Sequence, residues 1–288
     1  MQRLACVSFL TDYGQADGFV AACHGVLMRL APTIRVIDIT HQIPPQRIRR
    51  GAAVLAQTVP WLPPAVHVAV VDPGVGTARR AIAIGAGDEE QGSVLVGPDN
   101  GLLSWAWSVL GGVRSAVALE NRAYQLPAVS ATFHGRDIFA PVAAHVASGI
   151  PLDELGPPID PATLVHLPKP ESRTSDGAVE ADIVSIDGFG NVQVAATLDE
   201  LSQAGLKPGD DVVIEAAGVT FPALVSYTFA DAAPGTLAVL QDSAGYAAIV
   251  VNGGSAAAVL NVRDTDSVAL CIRAEPGGNP IGVSIDRP

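Results

Sequence analysis

The feature that most constrains this chain is a change of apolar period across a proline-rich stretch, Pro157 to Ser175, which holds Pro157, Pro158, Pro161, Pro168 and Pro170. Before it, short apolar runs alternate with segments of helical spacing. Leu4 to Leu10 reads as a buried strand ended by Thr11-Asp12. Phe19, Ala22, Cys23, Val26, Leu27 and Leu30 then recur as one helical face. Ile34 to Ile39 is a second strand, a helix passes through Val54 and Leu55, and Val66 to Val71 is a third strand ended by Asp72. Ala81 to Ile84 and Val94 to Val96 add strands, Gly97-Pro98-Asp99-Asn100-Gly101 is a turn, and Phe139 to Val146 is apolar and helical. Strands alternating with helices predict βαβ units and a mostly parallel sheet. After the prolines the period is two, in Val179–Ile186, Val212–Glu215, Leu237–Leu240, Ala247–Val251 and Val268–Ile272, with glycine-rich turns between. That pattern predicts a small β-barrel or sandwich. The expected organisation is an N-terminal α/β/α domain over residues 1–160, a proline-rich linker over 161–176 and a C-terminal antiparallel β-barrel over 177–288.

Composition narrows the partners. The 288 residues are 49% hydrophobic and 16% charged, which suits a packed core and argues against disorder. The formal net charge is −12. Nucleic-acid and anionic-membrane partners are therefore not expected, since both need clustered Lys and Arg; a cationic small ligand suits the charge. Cys6, Cys23 and Cys271 are scattered and show no C-x-x-C spacing, so neither a disulfide framework nor a thiolate zinc site is expected. No signal peptide is read at the N-terminus and no run has the length of a membrane span, so a cytoplasmic protein is expected.

Ligands of open parallel sheets bind beyond the carboxyl ends of the strands. Asp12 and Asp72 fall there, while Asp38 sits inside the end of its strand. Capping or turn formation explains a lone Asp equally well. The stretch V-V-D-P-G-V-G-T-A-R-R, Val70 to Arg80, lacks the spacing of a phosphate loop. Its Pro73-Gly74-Val75-Gly76 is a tight turn that can bring Asp72 and Arg79 to one point. His134, in T-F-H-G-R-D-I-F, precedes a helix whose N-terminus disfavours the imidazolium, leaving a neutral ring able to accept a proton. His24, His41, His67, His145 and His166 show no metal-ligand spacing with one another, and no metal site is expected. In the second half, I-D-G-F-G-N-V-Q, Ile186 to Gln193, interrupts a strand with two glycines, and Asp242 to Ser255 has the same character. Ordinary hairpin turns account for both; a close backbone approach to a ligand is the other reading.

Taken in order, T-D-Y-G-x-x-D-G-F-V (Thr11 to Val20), V-D-P-G-V-G-T-x-R-R (Val71 to Arg80), G-P-D-N-G-L-L (Gly97 to Leu103), T-F-H-G-R-D-I-F-A-P (Thr132 to Pro141), I-D-x-F-G-N (Ile186 to Asn191) and the Ser243/Asn252 stretch resemble the S-adenosyl-L-methionine (SAM) hydroxide adenosyltransferases. These are relatives of the bacterial fluorinase and chlorinase, and the match runs along nearly the whole chain. The resemblance implies an α/β N-terminal domain, a β-barrel C-terminal domain and a homotrimer with SAM at the subunit interfaces. It implies SAM plus water giving adenosine and L-methionine, with SAM as substrate and no cofactor. It places Asp72, Arg79 and His134 around the attacking water. Substrate contacts would come from Asp12 (ribose diol) and Asp17 in the first loop. Asp187 and Ser243 would hold the amino-acid end. Asn191, Phe229, Val251 and Gly253 would surround the adenine. In this reading Asp72, tied to Arg79, positions the water and His134 accepts its proton. The halogenases carry an aromatic hydroxyl at the Asp72 position and no histidine at the His134 position. The fluorinase has Ser where this chain has Gly135 and carries a longer insert where only Gly85 to Gly92 separates two strands here. These departures point to hydrolysis. The fluorinase also has Trp where this chain has Gln46 and arginines where it has Ala244 and Val251, so its contacts to the ribose face and the carboxylate do not carry over to these positions. The competing readings are chlorinase-like halide transfer and a SAM or adenosine sensor without turnover.

Overall fold

The structure, a computed structural model, describes residues 4, 6–88, 92–263 and 269–274. Val268, the expected start of the last strand, and the 275–288 end of the C-terminal domain lie outside the described residues. The chain divides into two compact units, Met1–Pro168 and Lys169–Pro288.

Among the described residues the first unit contains six strands: β1 (Cys6–Thr11), β2 (Arg35–Thr40), β3 (Val66–Val70), β4 (Ala81–Ala86), β5 (Ser93–Pro98) and β6 (Val113–Ala118). Their order across the sheet is β2-β1-β3-β5-β4-β6. The pairs β1–β2, β1–β3 and β3–β5 are parallel, and β4 runs antiparallel to both its neighbours. Period-two alternation assigns the faces. Val7, Phe9, Val66, Val68 and Val70 join one buried cluster with Cys23, Val26 and Leu27 of α1 (Phe19–Leu30) and with Val142, Ala143 and Val146 of α4 (Ala140–Ala147). Helices α2 (Ile48–Thr58) and α3 (Ser104–Val109) cover the opposite face. There a Cβ at Gly51 of α2 would collide with Leu102 and crowd Val71, so the close approach of this helix requires glycine. The result is the α/β/α sandwich expected from the alternation.

Two polar contacts lie inside this core. Ser8 and His67 face each other across β1 and β3, Oγ to Nδ1 at 2.7 Å. Thr11 Oγ1 meets His41 Nδ1 at 2.9 Å and also accepts the Tyr13 N–H.

The second unit holds β7 (Ser172–Ser175), β8 (Ala178–Ile186), β9 (Val192–Val194), β10 (Asp211–Ala216), β11 (Val219–Val225), β12 (Leu237–Gln241), β13 (Ala247–Val251) and β14 (Ala269–Ala274). Hydrogen bonding runs β14-β10-β11-β12-β13-β9-β8, and β8 pairs back onto β14, which closes a seven-stranded barrel. Strand β7 adds to β8 outside the ring. All pairings are antiparallel except β11–β12. Closure leaves the ring without an open edge. Two short helices, α5 (Leu198–Gln203) and α6 (Ala256–Leu260), contribute Leu201, Ala256 and Leu260 to the barrel core. A capping box fixes the start of α5, with Thr197 and Glu200 satisfying each other's backbone N–H. Within the proline-rich stretch, Pro161–Thr163 forms a 3-10 turn started by the Asp160 side chain.

Candidate active site

In the first unit, Asp12 follows β1 and Asp72 follows β3, so both carboxylates sit at the carboxyl ends of neighbouring parallel strands. The turn after Asp72 is wound by its own backbone. Val75 N–H donates to Asp72 O, Thr77 N–H donates to Gly74 O, and Arg79 N–H donates to Thr77 Oγ1. Gly76, at φ 76°, faces the Ala131 carbonyl with no room for a Cβ, so both its conformation and its packing demand glycine. This double turn folds Arg79 back onto Asp72. Arg79 Nε lies 3.1 Å from both carboxylate oxygens, and Nη2 lies 2.5 Å from Oδ2. The Asp72 side chain is 5% exposed and that of Arg79 11%. A buried pair of this kind is costly to break from one side, by about 3–5 kcal/mol. The Arg79 guanidinium also stands over the buried Phe139 ring, 5.4 Å from its centroid.

His134 joins the pair through the same guanidinium, with Arg79 Nη2 2.7 Å from His134 Nδ1. Arginine has no acceptor, so Nδ1 must be the acceptor and the neutral ring carries its proton on Nε2. Burial lowers the His134 pKa below the ordinary imidazole value, and the Arg79 charge lowers it further. The lone pair that a proton-accepting His134 would need is therefore engaged, and its other nitrogen is a donor.

His134 leads into a π turn, Gly135–Phe139, that continues into α4. Arg136 and Asp137 lock this entry. Arg136 donates to Asp137 through Nε at 2.6 Å and Nη2 at 3.1 Å, and Ser130 N–H donates to the same carboxylate at 2.8 Å. Burial opposes the Asp137 charge, but the Arg136 and Ser130 hydrogen bonds outweigh it and hold the pKa below the usual carboxylate range. At Gly135 a Cβ would overlap the Tyr13 hydroxyl. The Tyr13 ring packs in a three-ring cluster with Phe19 and Phe133, and burial, first among several causes, raises its pKa well above the phenol value. The sequence reading missed Tyr13, Arg136 and Asp137; their adjacency in T-D-Y-G and H-G-R-D to Asp12 and His134 was the available signal.

Asp12 accepts the Gln46 N–H on Oδ2 at 2.9 Å. Gln46 adopts φ 66°, a left-handed conformation costing a side-chain residue about 1–2 kcal/mol. Burial raises the Asp12 pKa, the Gln46 N–H counteracts it, and the nearby Asp72 charge adds to the rise. Asp17 is exposed, with no side-chain partner among the described residues. A cavity of about 240 Å³ opens beside His134, lined also by Glu120, Arg122, Gln125 and Ile138.

In the second unit, Asp187 organises the I-D-G-F-G-N turn. Its Oδ1 accepts the N–H of Phe189 and of Asn191, both at 2.9 Å, and its Oδ2 accepts the Asn191 side-chain amide at 2.8 Å. Asn191, Phe229, Val251 and Gly253 line one cavity of about 540 Å³ with Phe189, Gly254 and Ser255. Phe189 is 82% exposed and Phe229 47%. Gly253 turns at φ 81°. Ser243 is exposed on the turn between β12 and β13, which Asp242 shapes by accepting the N–H of Ala244 and Tyr246. The structure thus gathers Asp72, Arg79 and His134 in one hydrogen-bonded chain, with the Asp12 charge close by. Separately, it gathers four of the six second-unit candidates around one cavity. Asp17 and Ser243 join neither group.

One further cluster was not visible in sequence spacing. His24 of α1, Asp38 of β2 and His41 bring their ligand-type atoms within 4.8 Å of one another.

This chain belongs to the SAM hydroxide adenosyltransferase family: the model of the family's N-terminal domain matches residues 7–156 and that of its C-terminal domain residues 181–269. Among relatives, the (R)-S-adenosyl-L-methionine hydrolase of Salinispora tropica is 57% identical over 92% of this chain and 97% of its own length. The hydrolase of Thermus thermophilus is 39% identical over 92% and 98%. A fluorinase of Actinopolyspora mzabensis is 28% identical over 92% and 96%. An uncharacterized conserved protein of Thermotoga maritima, solved as a crystal structure, superposes with a TM-score of 0.85 at 34% identity, covering 93% of this chain and 99% of that one.

Proposed function

We propose that the protein hydrolyses SAM to adenosine and L-methionine, with water attacking the ribose C5′ in line with the departing sulfur. The observation that carries this reading is the Arg79 guanidinium bridging Asp72 and His134, at 2.5 Å and 2.7 Å. It builds a compact polar site that offers both a carboxylate and an N–H to one small nucleophile.

The C5′–O bond forms as the C5′–S bond breaks, and sulfur takes the electron pair. The sulfonium leaves as a neutral thioether, so no acid is needed on that side. The water becomes strongly acidic as it bonds to carbon. A carboxylate then suffices as acceptor, and Asp72 retains lone pairs beyond those that Arg79 occupies. His134, donating from Nε2, orients the water oxygen. This exchanges the roles read from the sequence: Asp72 takes the proton and His134 positions. Asp12 is proposed to accept the two ribose hydroxyls. The cavity of Asn191, Phe229, Val251 and Gly253 is proposed for adenine, with Asp187 shaping its rim. Asp17 and Ser243 are proposed as outer substrate contacts. The assembly is proposed to be a homotrimer with SAM at subunit interfaces, working in the cytoplasm without a cofactor.

The test is incubation of the purified protein with SAM in chloride-free buffer, with products separated by liquid chromatography. Equal adenosine and methionine are expected, falling about 10²–10⁴-fold in Asp72→Asn. SAM bound but intact would favour a sensor. A 5′-chloro nucleoside formed on adding chloride would favour halide transfer.

A further inference from the structure

We propose that His24, Asp38 and His41 form a binding site for a divalent transition-metal ion of the zinc type. His24 Nε2 lies 2.9 Å and His41 Nε2 3.0 Å from the same Asp38 oxygen, Oδ1. His24 and Asp38 meet in hydrogen-bond geometry. His41 is 2% exposed, and its Nε2 is a buried nitrogen without a hydrogen-bond partner although it stands beside that carboxylate. A polar nitrogen left unsatisfied in a buried position is destabilising, because its desolvation is not repaid by a partner. A shared cation removes that cost, because it takes both imidazole lone pairs and the carboxylate charge at one point.

The surroundings fit such a ligand. His41 Nδ1 is held by Thr11 Oγ1 at 2.9 Å. That hydroxyl oxygen can accept an Nδ1–H while Nε2 keeps its lone pair, which is the outer hydrogen bond metal-bound histidines use to fix their tautomer. The buried Phe9 ring packs edge-on to His41, with centroids 5.1 Å apart, and lies 6.0 Å from His24, giving both imidazoles an apolar wall. Bonds of about 2.0 Å in a tetrahedron separate ligand atoms by roughly 3.3 Å. The observed 2.9 and 3.0 Å need widen by a few tenths of an ångström, and His24 and Asp38, with side chains 28% and 42% exposed, have the freedom to do so. Their exposure also leaves an outward position for water. Two imidazoles and one carboxylate select zinc-like ions over Mg²⁺ and Ca²⁺, which take oxygen ligands.

The experiment is titration of the full-length protein, freed of metal with a chelator that is then removed, with ZnCl₂ by isothermal calorimetry. Saturable binding of one ion per chain is expected, weakened about tenfold or more in both His24→Ala and Asp38→Asn, with circular dichroism unchanged. Titration of the unsubstituted protein with Co²⁺ should develop visible bands that one equivalent of Zn²⁺ abolishes, a readout independent of any variant. Absence of one-to-one binding, variants that bind Zn²⁺ as tightly as the unsubstituted protein, or no Co²⁺ bands would overturn the proposal.

Discussion

At the scale of residues, the site turns on which nitrogen of His134 bears the proton. Because Arg79 donates to Nδ1, protonating His134 would set a second cation against the guanidinium. In the proposed mechanism the neutral ring is the working form, and burial together with the Arg79 charge holds its pKa below the ordinary value near 6.5. The account therefore expects kcat/KM to fall on acidification with an acid limb that lies below the ordinary imidazole range. His134→Gln keeps an acceptor for Arg79 and a donor for water but cannot titrate; it should work more slowly and lose that acid limb in a pH-rate profile. His67 makes a separate prediction about stability. Burial drops its pKa to about 4, so the folded state binds this proton more weakly than the unfolded chain. Stability is kept above the unfolded value near 6.5, falls as pH drops from there towards 4, and is lowered by about 3 kcal/mol below it. His67→Phe should remove roughly 2–3 kcal/mol of the difference in urea-unfolding free energy between neutral pH and about pH 4.5. An unchanged difference would contradict the assignment.

At the scale of elements, the π turn Gly135–Phe139 is tied to the first loop by the contact between Gly135 and the Tyr13 hydroxyl. Gly135→Ala should destabilise by about 1–3 kcal/mol, and Tyr13→Phe in the same chain should recover part of that loss. Additive melting-temperature shifts in the double variant would show that the two do not touch. Elements are also where the sequence was read unevenly. Strands β1, β2, β3, β12 and β13 were legible because apolar residues dominate them, with single interruptions at Ser8, Asp38 and His67, and helix α1 because its apolar positions recur at helical spacing. Helix α3, α5 and α6 have six, six and five residues, too few to display a helical period. Strand β11 was hidden by Pro222, which lacks an N–H; it lies where β11 pairs with β10, outside the Ala223–Val225 segment that pairs with β12. The nearness of Asp72 and Arg79 was legible from the glycine turn between them. The Arg79–His134 bond spans 55 residues, and with it the tautomer of the histidine was not. The His24–Asp38–His41 cluster escaped because its members come from a helix, a strand and the loop after it.

At the scale of the whole molecule, a strongly acidic chain of net charge −12 suits a cationic sulfonium substrate and draws it in at low ionic strength. If SAM lies at subunit interfaces, each site uses residues of two chains. Inactive Asp72→Asn protein mixed with an inactive Asn191→Ala protein, unfolded and refolded together, should then regain activity in roughly a quarter of its sites. No recovery would place each site within a single chain. The central claim, attack of water on the ribose carbon, is tested most directly by turnover in ¹⁸O-water with mass spectrometry of both products. The account predicts adenosine labelled at its 5′ oxygen, methionine unlabelled, and loss of the labelled product in Asp72→Asn. Unlabelled adenosine, or label in the methionine, would contradict it.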